Sequence, residues 1–150
     1  VERRAAVTRL VATLLAGLLL CAPVGAQDRV VLVAAADSPI EALSSFEVRK
    51  LYLGISVFKN DRLVRAIRNA SDPRLEDIFL QSIVGQSEQR YERRLLTNVF
   101  KFGTARPEEF SESSALIEAL VTNPYAVSYI LVGDEIPNGL KELRVLWQEL

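Results

Sequence analysis

Arg68, Asn69, Ser71 and Asp72 lie close together in the stretch IRNASDPRLEDIF, residues 67–79. An arginine fork can grip two oxygens of an oxyanion, and a serine can donate its hydroxyl. The first backbone amides of a helix have no partner inside it and can hold an anion. Together these groups would form an anion cradle. Asp72 opposes it, because a carboxylate at a helix start takes up the amides an anion would need and repels the anion as well. Arg74, within the first turn, offsets part of that charge. On the residues alone the balance leans slightly towards a capped helix with Arg68 paired to a nearby carboxylate. The cradle of Arg68, Asn69 and Ser71 is the functional alternative, with Ser38, which follows another strand, as a further candidate for the same ligand.

Other chemistry is scarce. The chain has no histidine, so the commonest general base and metal ligand is missing. Its serines have no neighbouring base visible in sequence and no GxSxG elbow, and neither a P-loop nor a GxGxxG is present. Glu76-Asp77 and Glu108-Glu109 read as solvated surface. No catalytic residue, metal site or cofactor is expected. Nucleic-acid binding is not expected either, because no basic run is interleaved with aromatics.

The opening stretch stands apart. Arg3, Arg4 and Arg9 precede an apolar run from Leu10 to Ala22, and Val24-Gly25-Ala26 follows. That order is the layout of a secretory signal peptide, and the run is short for a membrane span of about 20 residues. Residues 1–26 are therefore expected to be a cleaved signal, which places the remainder in the periplasm with no membrane span. Cys21 admits a second reading as a lipidated N-terminus. Leu20 before it is larger than that processing favours, so loss of Cys21 with the signal is the preferred expectation. Residues 27–150 then carry 15 basic and 18 acidic side chains, a net charge of −3. The charge is uneven: residues 49–106 hold 12 basic and 6 acidic side chains, whereas residues 107–150 hold 2 and 8.

The elements that must position the junction can be read in order. RVVLVAAA, residues 29–36, is a strand buried on both faces. Ser44 and Glu47 make a capping box for a helix whose inner face is expected to carry Phe46, Leu51, Tyr52 and Ile55, and Gly54 stops it. Residues 62–68 read as one strand. Asp72 as N-cap and Pro73 as first residue open a helix with Leu75, Ile78, Phe79 and Ile83 on one side, ended by Gly85. A helix over about 88–100 turns Tyr91, Leu95 and Val99 inward. Residues 102–113 read as a loop, SALIEALVTNP as a short helix, AVSYILV (126–132) as a buried strand and LRVLW (143–147) as another. Alternating strands and helices predict a single α/β domain over 27–150, with helices covering both sheet faces.

The run from Ser44 to Tyr91, followed by NPYAVSYI at 123–130, resembles the small periplasmic proteins related to the phosphate-transporter substrate-binding protein. The resemblance is carried by the helix end Tyr52-Leu53-Gly54, by Ser71, Phe79, Val84-Gly85 and Tyr91 in that order, and by the late strand; it covers roughly residues 30–147. It implies an abbreviated fold of the type II periplasmic binding proteins, with helices packed on both faces of a small mixed sheet. In the full-length proteins an arginine and a Ser-Gly-Thr turn grip phosphate. Arg68 takes the arginine's place, Ser71 the serine's, and Ser38 the early serine loop's. Asp72-Pro73 stands where glycine and threonine would be, Ser128 replaces the glycine before Tyr129, and the chain is about half the length of a two-lobed receptor.

The function implied is binding of phosphate or a similar small oxyanion in connection with transport. A ligand-free module of the cell envelope that keeps the fold and docks on a transporter or sensor protein is the alternative. Intact-mass measurement of the exported protein is expected to give a chain starting at Gln27, and a lipidated Cys21 would overturn that processing site.

Overall fold

The structure, a computed structural model, describes residues 25–150. Nearly all of the expected signal segment, Cys21 included, lies outside the described residues.

Seven strands and four helices follow one another from Arg29. Strand β1 (Arg29–Ala35) leads to helix α1 (Ser45–Tyr52), then to the short strands β2 (Phe58–Lys59) and β3 (Arg62–Leu63). Strand β4 (Arg65–Asn69) precedes helix α2 (Pro73–Ile78), which continues as a π-helical turn over Phe79–Val84. Helix α3 (Glu88–Phe102), strand β5 (Glu108–Phe110), helix α4 (Ser113–Thr122), strand β6 (Ala126–Val132) and strand β7 (Leu140–Gln148) complete the chain. Five strands form one sheet in the order β5-β4-β6-β1-β7. β4 is parallel to β5 and to β6, whereas β1 is antiparallel to both β6 and β7. The sheet is mixed.

Strand alternation divides the core in two. Val30, Leu32, Ala34, Ala66, Val127 and Tyr129 face one side, where they pack against α1, α2, the π turn and α3. Val31, Val33, Ile67, Ala126 and Ile130 face the other, covered by Leu116 and Leu120 of α4. Helices therefore cover both faces, as alternation of strands and helices predicts. The first face is centred on aromatic rings. Phe79 stacks on Tyr129 at 5.4 Å and meets Tyr52 and Tyr91 edge-on at 5.4 and 5.1 Å. Each such pair adds about 0.5–1.5 kcal/mol beyond the area it buries.

Local signals are realised closely at the helix ends. Ser44 Oγ accepts from the Glu47 amide at 3.2 Å and the Glu47 carboxylate accepts from the Ser44 amide at 2.8 Å, the reciprocal capping box. Lys59 Nζ reaches the same carboxylate at 2.8 Å. Its hydrogen bond, then the cap, holds Glu47 below the usual carboxylate range. Gly85 ends the π turn with φ of 62°, a left-handed conformation that suits glycine.

Four expectations need correction. Phe46 is 71% exposed, because Val48, Leu51 and Tyr52 form the buried side of α1. Residues 62–68 are two strands: a tight turn through Asn60 and Asp61, both at positive φ, folds β3 back on β2, and Val64 separates it from β4. Paired left-handed residues are the mark of a two-residue hairpin turn. The helix after Asp72 widens into π winding from Phe79, which brings Phe79, Ile83 and Val84 all into the core. Residues 108–110 lie in the segment expected to be a loop, yet they form β5, held by pairing with β4 and not by any apolar pattern of their own.

Phe79→Ala should cost about 3–5 kcal/mol in urea unfolding, since it empties the centre of the aromatic cluster. The folded state binds Glu47's proton less readily than the unfolded chain, so that carboxylate's contribution is complete above its ordinary 4.5 and is lost as pH falls through the lower folded value. Glu47→Gln should remove that acid-side loss and cost about 0.5–1 kcal/mol at neutral pH.

Candidate functional site

The junction between β4 and α2 is built by alternation along a strand. Ala66 and Ile67 face opposite cores, so Arg68 follows Ala66 to the aromatic side and Asn69 follows Ile67 to the α4 side. Neighbours in sequence thus point to opposite faces of the sheet.

Arg68 is held by aromatic rings and by two carboxylates. Its guanidinium lies 4.5 Å from the centre of the Phe79 ring and 5.3 Å from that of Tyr91. Glu76 of α2 holds it at 2.6 Å, and Glu109 of β5 at 3.3 Å. Only 11% of the side chain is exposed, against 41% and 51% for the two glutamates. Burial works against the charge, but Tyr129 and Glu76 more than offset it, and Arg68 stays protonated above the ordinary arginine range. The surrounding phenols respond in the opposite sense to that burial. Tyr52 and Tyr91 are pushed up chiefly by desolvation, and Tyr129 is pushed up to about 12 in spite of the nearby guanidinium. Arg68 Nε and the Tyr129 hydroxyl are buried without a hydrogen-bond partner.

The amides of Ala70, Ser71 and Arg74, which an anion at this junction would draw on, are taken as well. The Ala70 amide donates to Phe110 O at 2.8 Å. Asn69 Oδ1 accepts from the Ser71 amide at 2.9 Å and from the Ser71 hydroxyl at 2.6 Å, while Asn69 Nδ2 donates to Tyr129 O at 2.9 Å. Asp72 is the N-cap and accepts from the Arg74 amide at 2.9 Å. Arg74 closes back on Asp72 and reaches Asp28, each at 3.1 Å. That hydrogen bond, first of all, holds the Asp72 carboxylate below its usual range. A pocket of about 450 Å³ does open on the α4 side, between Asn69, Ser71, Arg74, Leu116 and Ile130, but Asp28 and Asp72 line it too.

Of the residues expected to share a ligand, Asn69 and Ser71 are brought together, and Arg68 is turned to the opposite face. Ser38 does not join them. Strand carboxyl ends gather on one side of a sheet only where the strands are parallel. β1 runs against β6, so its carboxyl end lies beside the amino end of β6. There Ser38 Oγ donates to Pro124 O, its carbonyl accepts from Lys141 Nζ at 2.6 Å, and the side chain is buried. Ser38 pins the end of β1 to the start of β6. Glu76 and Glu109, read as solvated surface, are instead the partners of Arg68. Glu76 could have been found from its place within the first turn after an arginine-bearing strand; Glu109 could not, because β5 carries no strand signal. Among the described residues no cluster of His, Cys, Asp and Glu could hold a metal, and no helix is long and apolar enough to cross a membrane.

Comparison with solved structures establishes the fold. A Clostridium perfringens protein described as a phosphate ABC transporter substrate-binding protein, with bound phosphate, superimposes with a TM-score of 0.58 at 19% identity, over 79% of this chain and 45% of that one. An ABC-type phosphate transport receptor from Vibrio cholerae gives 0.57 at 16% identity, over 79% and 46%. PstS from Borrelia burgdorferi gives 0.56 at 16% identity, over 79% and 47%. The chain thus has the fold of phosphate-receptor proteins and spans less than half the length of each. No protein-family model matches the chain, and no curated protein does.

Asp72→Ala should lower the midpoint of urea unfolding through loss of the helix cap, and Asp72→Asn should largely restore it. Arg68→Ala should cost about 2–4 kcal/mol, because it removes a buried stem from an aromatic platform, and Arg68→Met should recover most of that loss in the same denaturation assay.

Proposed function

We propose that this is an exported, non-catalytic domain of the binding-protein type that acts through contacts with an envelope transport or sensor protein, with the oxyanion cradle of its fold closed by its own side chains. The observation that carries the reading is the double carboxylate hold on Arg68, at 2.6 and 3.3 Å. An incoming phosphate would have to displace both glutamates and also overcome Asp72 at the helix start. Absence of histidine from the chain agrees with a binding role.

Phosphate binding is the second reading. It is favoured by the pocket beside Asn69, Ser71 and Arg74, and by the bound phosphate in the Clostridium perfringens neighbour.

Titration calorimetry of the full chain with inorganic phosphate at low salt separates the two. No heat at millimolar phosphate is expected for the wild-type chain. Heat that disappears in Ser71→Ala would establish the second reading and overturn the first. Under the first, affinity capture from envelope extract should recover a specific transporter or sensor component equally well with wild type and Arg68→Met.

A further inference from the structure

Helix α3 presents an outward face that the core does not use. Tyr91 and Leu95 turn inward and are buried. At 3.6 residues per turn, Arg90, Arg93, Arg94, Leu96, Phe100 and Lys101 spread over about 160° of the opposite side. All six are exposed, and Phe100 is 84% exposed. No acidic residue lies among them. Glu92, on the flank, is already held by Arg106 at 2.7 Å.

Arg29, Lys59, Arg65, Arg68, Arg74 and Arg106 each have a carboxylate partner. Arg90, Arg93, Arg94 and Lys101 have none among the described residues. Arg49, Lys50, Arg62, Lys141 and Arg144 also lack a carboxylate partner among the described residues; what distinguishes α3 is that four such cations gather on one helix side. They share it with a protruding phenylalanine and a leucine. Long cationic side chains can reach outward while their stems and the apolar rings sink, which is the arrangement of a helix lying in a membrane interface. Phe100 stands out into solvent, and a deformable layer can receive it where a protein would need a matching hollow.

We propose that the outward face of α3 docks on anionic phospholipid, with Arg90, Arg93, Arg94 and Lys101 at the headgroups and Phe100 and Leu96 entering the interface. The contact is peripheral. It leaves the β4–α2 junction free and does not depend on whether that junction takes phosphate or on which protein the domain contacts.

Co-sedimentation with lipid vesicles tests it. Residues 27–150 are used, since every strand and helix among the described residues lies within 29–148 and the apolar run at 10–22 would bind lipid by itself; a cooperative thermal melt verifies that this piece is folded. Pelleting is expected with phosphatidylcholine vesicles containing about one-third phosphatidylglycerol, and not with phosphatidylcholine alone. The double variant Arg93→Glu/Arg94→Glu should weaken binding by more than about tenfold. Phe100→Ser should weaken it several-fold while leaving the salt dependence in place, and Arg49→Glu, on α1, should change nothing. Equal pelleting on both vesicle types, no pelleting on either, or an unchanged Arg93→Glu/Arg94→Glu variant would overturn the proposal. Capture of a soluble acidic protein by this face without binding to vesicles would overturn it in favour of a protein partner.

Discussion

One buried cation organises the domain. Arg68 rises from β4, beside the edge strand β5, into a cluster of aromatic rings, and three further elements close on it: α2 through Glu76, β5 through Glu109, and α3 through Tyr91. A charge in such a place must be compensated or it destabilises the fold. The compensation here is shared between π faces beneath and half-exposed carboxylates at the rim, so the glutamates keep part of their hydration while the guanidinium loses most of its own. Pieces of chain separated by tens of residues are thereby brought to one point. The short β5 strand is the clearest beneficiary, with a carboxylate of its own joined to the strand it pairs with.

The same hold sets the chemistry of the neighbouring turn. A receptor for an oxyanion needs donors left unsatisfied until the ligand arrives, whereas this turn spends its donors on itself. Asn69 takes the amide and hydroxyl of Ser71, Phe110 takes the amide of Ala70, and Asp72 takes that of Arg74. Asp72 also supplies a helix cap from within the chain and adds negative charge beside the turn.

Much of this was legible in the residues and some was not. Strands β1 and β6 could be read because both are continuously apolar, and the starts of α1 and α2 because Ser44, Glu47, Asp72 and Pro73 are chemical signals acting over three or four residues. Asp72 as its own helix cap and Arg68 in a carboxylate pair also follow from the residues. What could not be read depends on distant chain. β5 exists through pairing with β4, the π turn through the demand that Phe79 and Val84 both reach the core, and the misplacement of Ser38 through the direction of β1. A strand's direction relative to its neighbours leaves no trace in its own composition. Family likeness suggested a shared ligand position for Ser38, and topology removed it.

β1 enters the sheet between β6 and β7, and its partners at Arg29 are Val132 on one side and Gln148 on the other. β1 must therefore wait for β6 and β7, which lie roughly a hundred residues downstream. Closing such long loops is entropically costly before any reward is gained, and it slows folding. The growing polypeptide has no way to complete this sheet until Leu140–Gln148 has been made, so late pairing is written into the order of its strands.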